Sequence, residues 1–403
     1  MKILFISQYF YPESFKGNDI VFDFVKKGYE VTVLTGKPNY PKGEFYEGYS
    51  FFGKKEEVIK GAKILRVPLF PRRSGKAIPL IINYLSFILF SYWAVLFRVK
   101  EKYDVIFVQQ LSPVTMALPG LWVKRRQRIP LFLWVLDLWP ESITATTNVK
   151  KGIIINLIER LVRKIYRESD IILTSSKSFE DSIREKCENK NKKIEYFPNW
   201  AEDVFVDIKE NEEEIPDLPN GFNIMFAGNV GESQGFETIL KAAKRTEEYG
   251  INWIILGDGR KVSWIKSELK IREINNVHLL GRFPLKTMPH FFKKADAMLV
   301  SLKDEPVFAI TVPAKVQAYM ASSKIILGML NGEGKELINE SKCGFAVDAD
   351  DTEALVEKSI KLSKLSDEEK NRMSINSKKY YNENFKKEVL FEKLEKLIRL
   401  QKK

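Results

Sequence analysis

DEPVFAITVPAKVQAYMASSKIIL, residues Asp304 to Leu327, joins a loop holding two prolines to an apolar stretch with one lysine, Lys315, in its first helical turn. Pro313 suits the start of a helix, where its missing N–H costs nothing. Lys315 does not, because a cation there opposes the helix dipole. That placement makes sense if an anion occupies the spot and needs both the backbone N–H groups and the ammonium. The flanking runs DAMLVSL (296–302) and KIILGML (324–330) are continuously apolar, as parallel strands covered on both faces are. The helix therefore starts just beyond a strand's carboxyl end, where open α/β sheets bind ligands.

Runs of the same kind recur outward from this stretch. They are KILFIS (2–7), EVTVLTG (30–36), KILRVP (63–68), DVIFVQQ (104–110), LFLWVLD (131–137), DIILTSS (170–176), NIMFAGN (223–229), WIILGDG (253–259) and VHLLGR (277–282). Helical spans separate most of them, which implies right-handed βαβ units and doubly wound sheets. Pro198 and Asn199 break the pattern within KKIEYFPNWAEDVF (192–205). The expected organisation is two Rossmann-like α/β domains, 1–197 and 198–384, facing across a cleft. A Lys-rich amphipathic helix, 385–403, follows. A chain of 403 residues suits two such cores.

The net charge of +12 would suit nucleic acid, an anionic bilayer or a phosphorylated substrate. Basic and acidic residues are interspersed and no nucleic-acid motif is present, so a nucleic-acid partner is not expected. Cys187 and Cys343 lie far apart, which fits a reducing compartment. With His278 and His290 as the two histidines, neither a zinc site nor a His-based triad is expected. The N-terminal MKILFISQYFYPE reads as a first strand, not a signal sequence. One segment stands apart: IPLIINYLSFILFSYWAVLF (78–97) carries no charge and lies between PRRSGK and RVKEK. By length it could span a bilayer, but Pro79, Asn83, Ser86 and Ser91 dilute it and it lies between two strands of one sheet. It therefore reads as a buried crossover helix or as a helix set into a membrane interface with basic neighbours on head groups; a true span is the remaining reading.

The candidate site residues follow the strands. Gly17 and Asn18 form a turn into a helix, suited to an anion or a sugar. Asp137, delivered by an apolar strand, and Glu141 in DLWPES could hold an acceptor hydroxyl or act as base, or Asp137 could simply cap a helix. The turn in AGNVGESQG, with Gly228, Asn229 and Gln234, suits a diphosphate. Asp258 and Arg260 in LGDGRK, Arg282 in LLGRFP and Glu333 in NGEGKEL end further strands, with Glu333 placed to hold ribose hydroxyls. Thr311 and Lys315 complete a diphosphate site.

In this combination and order, PESFKGNDI, TGKPNYPKG, DLWPES, PNWAE, AGNVGESQG, LGDGR, VPAKVQAYMA and GEGKELI resemble family-4 glycosyltransferases of GT-B fold. The resemblance covers essentially the whole chain. FVKKGYEVTVLTGKPNYP and DLWPES are most similar to bacterial O-antigen and capsule enzymes that add N-acetyl-fucosamine to a lipid-linked acceptor. The family's Glu-x7-Glu motif is altered here. Its second Glu is Ala318, its first falls at Ile310, and its Gly-x-Pro becomes Ser323-Lys324-Ile325. The family's diphosphate cations are replaced by Asn229 and Gln234, which leaves Lys315 and Arg282 as substitutes.

The resemblance implies a retaining transferase that moves an N-acetylated hexosamine or 6-deoxyhexosamine from a UDP-sugar to a polyprenyl-diphosphate-linked saccharide. No metal cofactor is expected. Asp137, Glu141 and Lys315 would be catalytic, and Arg72, Arg73 and Lys76 would face the acceptor phosphates. The protein would sit in the cytoplasm against the inner, anionic face of the cell membrane. The alternative is a UDP-sugar epimerase sharing the fold, with no lipid acceptor.

Overall fold

The computed structural model describes residues 1–73, 77–146, 152–207 and 215–401. The chain divides into two compact units, Met1–Phe197 with Phe391–Lys403, and Pro198–Leu390.

Among the described residues the first unit holds one sheet of β1 (Lys2–Ile6), β2 (Glu30–Gly36), β3 (Glu56–Ile59), β4 (Ala62–Val67), β5 (Val105–Gln110), β6 (Leu131–Val135), β7 (Ile171–Thr174) and β8 (Lys193–Tyr196). Their order is β3-β4-β2-β1-β5-β6-β7-β8. Only the β3–β4 edge pair is antiparallel. Every residue of β5 and β6 is buried, as strands covered on both faces must be. The strand order reverses between β1 and β5, and the carboxyl ends of these two strands define the unit's switch point.

The second unit holds β9 (Phe222–Ala227), β10 (Ile251–Leu256), β11 (Val277–Gly281), β12 (Ala297–Ser301), β13 (Ile325–Met329) and β14 (Gly344–Val347). All are parallel, in the order β11-β10-β9-β12-β13-β14, with the switch point between β9 and β12. Its core packs Ile224, Phe226, Trp253, Ile255, Leu299 and Leu327 against Phe236 and Leu240 of helix Phe236–Thr246. The three strands absent from the sequence reading are β3, β8 and β14. Each is four residues long and partly exposed; β3 and β8 also carry charge, and the apolar run of β14 is too short to stand out as a strand.

The uncharged segment forms helix Ala77–Phe97, whose mean hydropathy is 1.9. By length and composition it could cross a membrane. It is not a buried crossover helix. Its protein-facing residues are Asn83, Ser86, Phe87, Ser91, Ala94 and Val95, whereas Ile78, Leu85 and Phe97 are 72%, 59% and 60% exposed. The polar residues that dilute the segment in sequence are those turned inward. The Asn83 amide donates to the Phe70 carbonyl (2.6 Å) and accepts from Gln8 Nε2 (2.7 Å), and Ser86 Oγ accepts the Phe70 N–H (3.0 Å).

Helix Lys387–Arg399 closes the described chain. Its last turns belong to the first unit, where Glu395 accepts from the Tyr29 hydroxyl (2.6 Å) and pairs with Lys27 (3.0 Å).

Candidate active site

Each unit gathers polar groups at the carboxyl ends of its strands. In the second, a cleft of ≈ 580 Å³ opens above β9, β10 and β11. Its floor is two backbone turns in close contact. Gly228 follows β9 and its N–H donates to the Leu256 carbonyl (2.9 Å). Gly257 follows β10 with φ +139°, and a Cβ there would stand 1.8 Å from the Gly228 carbonyl oxygen. No side chain fits, so the turn requires glycine.

Helix Ala314–Ala321 borders the cleft with its first turn and places Lys315, Ala318 and Tyr319 on one face, at three- and four-residue spacing. Tyr319 ties the helix to β9: its hydroxyl accepts the Ala227 N–H (3.1 Å) and donates to the Ala227 carbonyl (3.3 Å). Lys315 extends over Gly228 with Nζ 3.6 Å from the centre of the Phe226 ring, a cation–π contact. Nζ also donates to Gln234 Oε1 (2.7 Å). Among the described residues it pairs with no carboxylate. Burial alone depresses its pKa, from 10.5 to about 7. The ammonium is held by a ring face and a neutral amide, and an anion in the cleft would supply the missing counter-charge.

The other expected donor-site residues divide. Gly228, Asn229, Asp258 and Arg282 line the cleft. Arg282 is exposed and makes no hydrogen bond or ion pair among the described residues. Gln234 is buried and serves to position Lys315. Thr311 corrects the expectation, since its hydroxyl donates to the Val307 carbonyl (2.9 Å) and its N–H to that of Phe308 (3.2 Å), which leaves no donor for a phosphate. Arg260 lies exposed, apart from the cleft lining. Glu333 is buried at the start of helix Glu333–Ser341 and also lies apart from that lining. Ala318 lines the cleft without a carboxylate. Glu202, from the PNWAE segment, does bring one. Sequence reasoning missed it, although the segment itself was singled out. It also missed the apolar wall of Phe205, Phe283, Met288 and Phe292, whose residues look like ordinary core.

In the first unit, Gly17 lies in the first turn of helix Lys16–Lys26, packed on β5. A Cβ there would meet Gln109 Oε1 at 2.2 Å, so only glycine lets the helix start this close to the switch point. Asn18 is committed to structure: its amide accepts the Tyr11 N–H (3.1 Å) and donates to the Glu13 carbonyl (2.7 Å). Asp137, just beyond β6, accepts from the Ser112 and Ser142 hydroxyls and from Trp139 Nε1 (3.2 Å). The carboxylate is oriented by three donors. Glu141 corrects the expectation of an acid or base. It forms an ion pair with Lys186 and accepts from Ser182 Oγ (3.0 Å), joining helices Glu141–Thr146 and Phe179–Cys187. Burial opposes its charge, but these donors outweigh that and hold the carboxyl below its ordinary value. Of the basic trio, Arg72 and Arg73 are described, and Lys76 lies outside the described residues.

Comparison with known proteins agrees with this architecture. Residues 20–200 match the glycosyl transferase 4-like domain, and residues 207–380 match the glycosyl transferases group 1 family. The putative colanic acid biosynthesis glycosyl transferase WcaI of Escherichia coli is 26% identical over 315 residues, which span 73% of this chain and 74% of WcaI. The probable glycosyltransferase WbjE of Pseudomonas aeruginosa is 30% identical over 56% of this chain and 58% of its own length. Among solved structures, sucrose-phosphate synthase from Thermosynechococcus elongatus superposes with a TM-score of 0.72 at 13% identity, covering 99% of this chain and 98% of that one. Anabaena HepE in complex with UDP and glucose gives 0.64 at 13% identity, covering 99% of each chain. At such identities the structures establish the fold. Fold and family matches together define a sugar transferase built of two Rossmann-like domains. The chain belongs to the family-4 glycosyltransferases of GT-B fold.

Proposed function

We propose that this transferase takes its sugar from a UDP-linked donor, with retention of configuration, and passes it to a lipid-linked saccharide in surface polysaccharide synthesis. The observation that carries the donor half is Lys315: an enclosed ammonium without a carboxylate, above a glycine turn, at the start of a helix. Solved neighbours hold UDP with glucose, UDP-glucose and UDP-2-fluoro glucose, which supports a nucleotide-sugar. The names of WcaI and WbjE place those relatives in colanic acid synthesis and sugar transfer, which supports the wider role.

In this reading the barrier is departure of UDP from a carbon with oxocarbenium character. Lys315, Arg282 and the N–H groups near Gly228 stabilise charge growing on the β-phosphate, and they do so preorganised. These groups neutralise the diphosphate without a resident metal. Asp137, fixed by three donors, holds the acceptor hydroxyl. An N-acetylated hexosamine or 6-deoxyhexosamine as the transferred sugar rests on the resemblance of DLWPES and the 24–41 segment to N-acetyl-fucosaminyl transferases. The outward apolar face of helix Ala77–Phe97 suits a protein bound to the cytoplasmic face of an anionic membrane.

Calorimetric titration with UDP, ADP and GDP tests the donor assignment. UDP is expected to bind best, and Lys315→Ala to weaken it about tenfold or more, some 1.4 kcal/mol. Absence of binding to any nucleotide would overturn the donor assignment.

A further inference from the structure

The first unit contains a guanidinium that meets no counter-charge among the described residues. Its other buried or half-buried cations are engaged: Lys37 by the carbonyls of Gly53 and Lys54, Arg66 by Glu57, Lys124 by Asp170 and Lys186 by Glu141. Arg72 is half-buried and pairs with no carboxylate among the described residues. Its guanidinium carbon sits 5.1 Å from the Tyr40 ring and 5.8 Å from the Tyr9 ring, and Nη1 makes one long contact, 3.4 Å, to the Tyr9 hydroxyl. The rings are themselves fixed, with Tyr9 stacked on Phe15 at 5.1 Å and Phe15 at 5.3 Å from Tyr40.

The backbone of Arg72 is also held, since its N–H donates to Asn39 Oδ1 (3.1 Å). Asn39 in turn donates its N–H to Glu13 Oε1 (2.8 Å). Two carboxylates lie near. Glu13 accepts three backbone N–H groups, from Phe10, Asn39 and Tyr40, and Asp137 accepts its three side-chain donors. Neither takes up the guanidinium, so its planar fork of donors stays available, a geometry matched to a phosphate.

The position adds a second requirement. Tyr84, which hydrogen-bonds Tyr9 and lies in the fields of both Arg72 and Asp137, belongs to helix Ala77–Phe97. On that helix Ile81 and Leu85, within a turn of Tyr84, are 54% and 59% exposed. A guanidinium with no carboxylate partner among the described residues and an oriented carboxylate thus both act on Tyr84, whose helix turns an apolar face outward.

We infer that Arg72 binds the phosphate of a single amphiphilic substrate whose hydrocarbon chain lies along helix Ala77–Phe97 and whose sugar end reaches Asp137. Bulk lipid head groups would be met by exposed cations such as Arg73, whereas a guanidinium set behind two rings selects one bound phosphate. This rests on the lipid-linked acceptor reading above and assigns its phosphate contact.

Calorimetry of the full chain with farnesyl diphosphate tests it, with inorganic pyrophosphate, farnesol and dihexanoyl phosphatidylglycerol as comparators. Farnesyl diphosphate is expected to bind more tightly than any comparator. Arg72→Ala should weaken it about tenfold or more, and Arg72→Lys should recover part of that. UDP affinity of Arg72→Ala should match wild type, and an unchanged melting transition shows that the variant is folded. Unchanged farnesyl diphosphate affinity in Arg72→Ala would overturn the assignment. So would phosphatidylglycerol or pyrophosphate binding as tightly as farnesyl diphosphate. Failure of UDP to bind the wild type would overturn the donor reading and leave this one standing.

Discussion

UDP affinity should fall steeply as pH rises above neutrality, and the slope should belong to Lys315. In the free protein this ammonium titrates at about 7 because its enclosure withholds water. A diphosphate beside it restores the charge and moves its pKa back towards 10.5. Binding is then coupled to proton uptake between those two values, and each pH unit costs about tenfold, 1.36 kcal/mol. From pH 6.5 to pH 9 the affinity should drop about a hundredfold. Below about pH 6 it should also decline, as the terminal phosphate of UDP takes up its own proton. Calorimetry across this range, in buffers of differing ionisation heat, reads both the slope and the protons absorbed. Lys315→Met should bind weakly and lack this descent on the alkaline side. A flat wild-type profile above pH 7, or the same slope in Lys315→Met, would refute the reasoning. The folding sign is fixed by the same group. The unfolded chain binds this proton up to 10.5 and the ligand-free folded chain only up to about 7, so this group's contribution to stability rises with pH between those values.

Other expectations follow from packing. Gly257→Ala should lower stability by about 3 kcal/mol or more, read as a fall in melting temperature, since the added methyl meets the Gly228 carbonyl at a φ that alanine avoids. Glu141→Gln should cost on the order of 1–3 kcal/mol by removing the charge that faces the buried Lys186 ammonium, while leaving UDP affinity unchanged; intact stability with lost turnover would restore Glu141 as a catalytic group. Replacing Ile81, Leu85 and Leu89 together with glutamine should leave the melting temperature within a few degrees and reduce vesicle flotation at least about tenfold, because these side chains are half exposed and make little of the core.

The strands of both sheets were legible because their apolar runs are unbroken, and their spacing implied the parallel order. The edge strands were not, since Glu56–Ile59 and Lys193–Tyr196 mix charge with apolar residues, as half-solvated edges do. The importance of Lys315 could be read from one residue opposing a helix dipole. Its neighbours could not: the Phe226 ring and Gln234 meet it only through the fold, 89 and 81 positions away. Glu141 and Thr311 show the converse. Polar residues just beyond a strand look like ligands in sequence, yet both are consumed by local bonding. Ser323 occupies the place of the family's glycine and stands in left-handed backbone, φ +56°, a conformation that glycine adopts at lower cost. Ala318 is a real deletion, with no carboxylate at that point of the cleft.

The helix Ala77–Phe97 has a practical consequence for anyone handling the protein. Its apolar side is outermost and its asparagine and serines innermost, so in plain buffer two protein molecules have few better surfaces to cover it than each other. Clumping in detergent-free buffer would then be the ordinary conduct of a correctly folded chain, and a mild detergent or a nanodisc, not refolding, is the remedy to try.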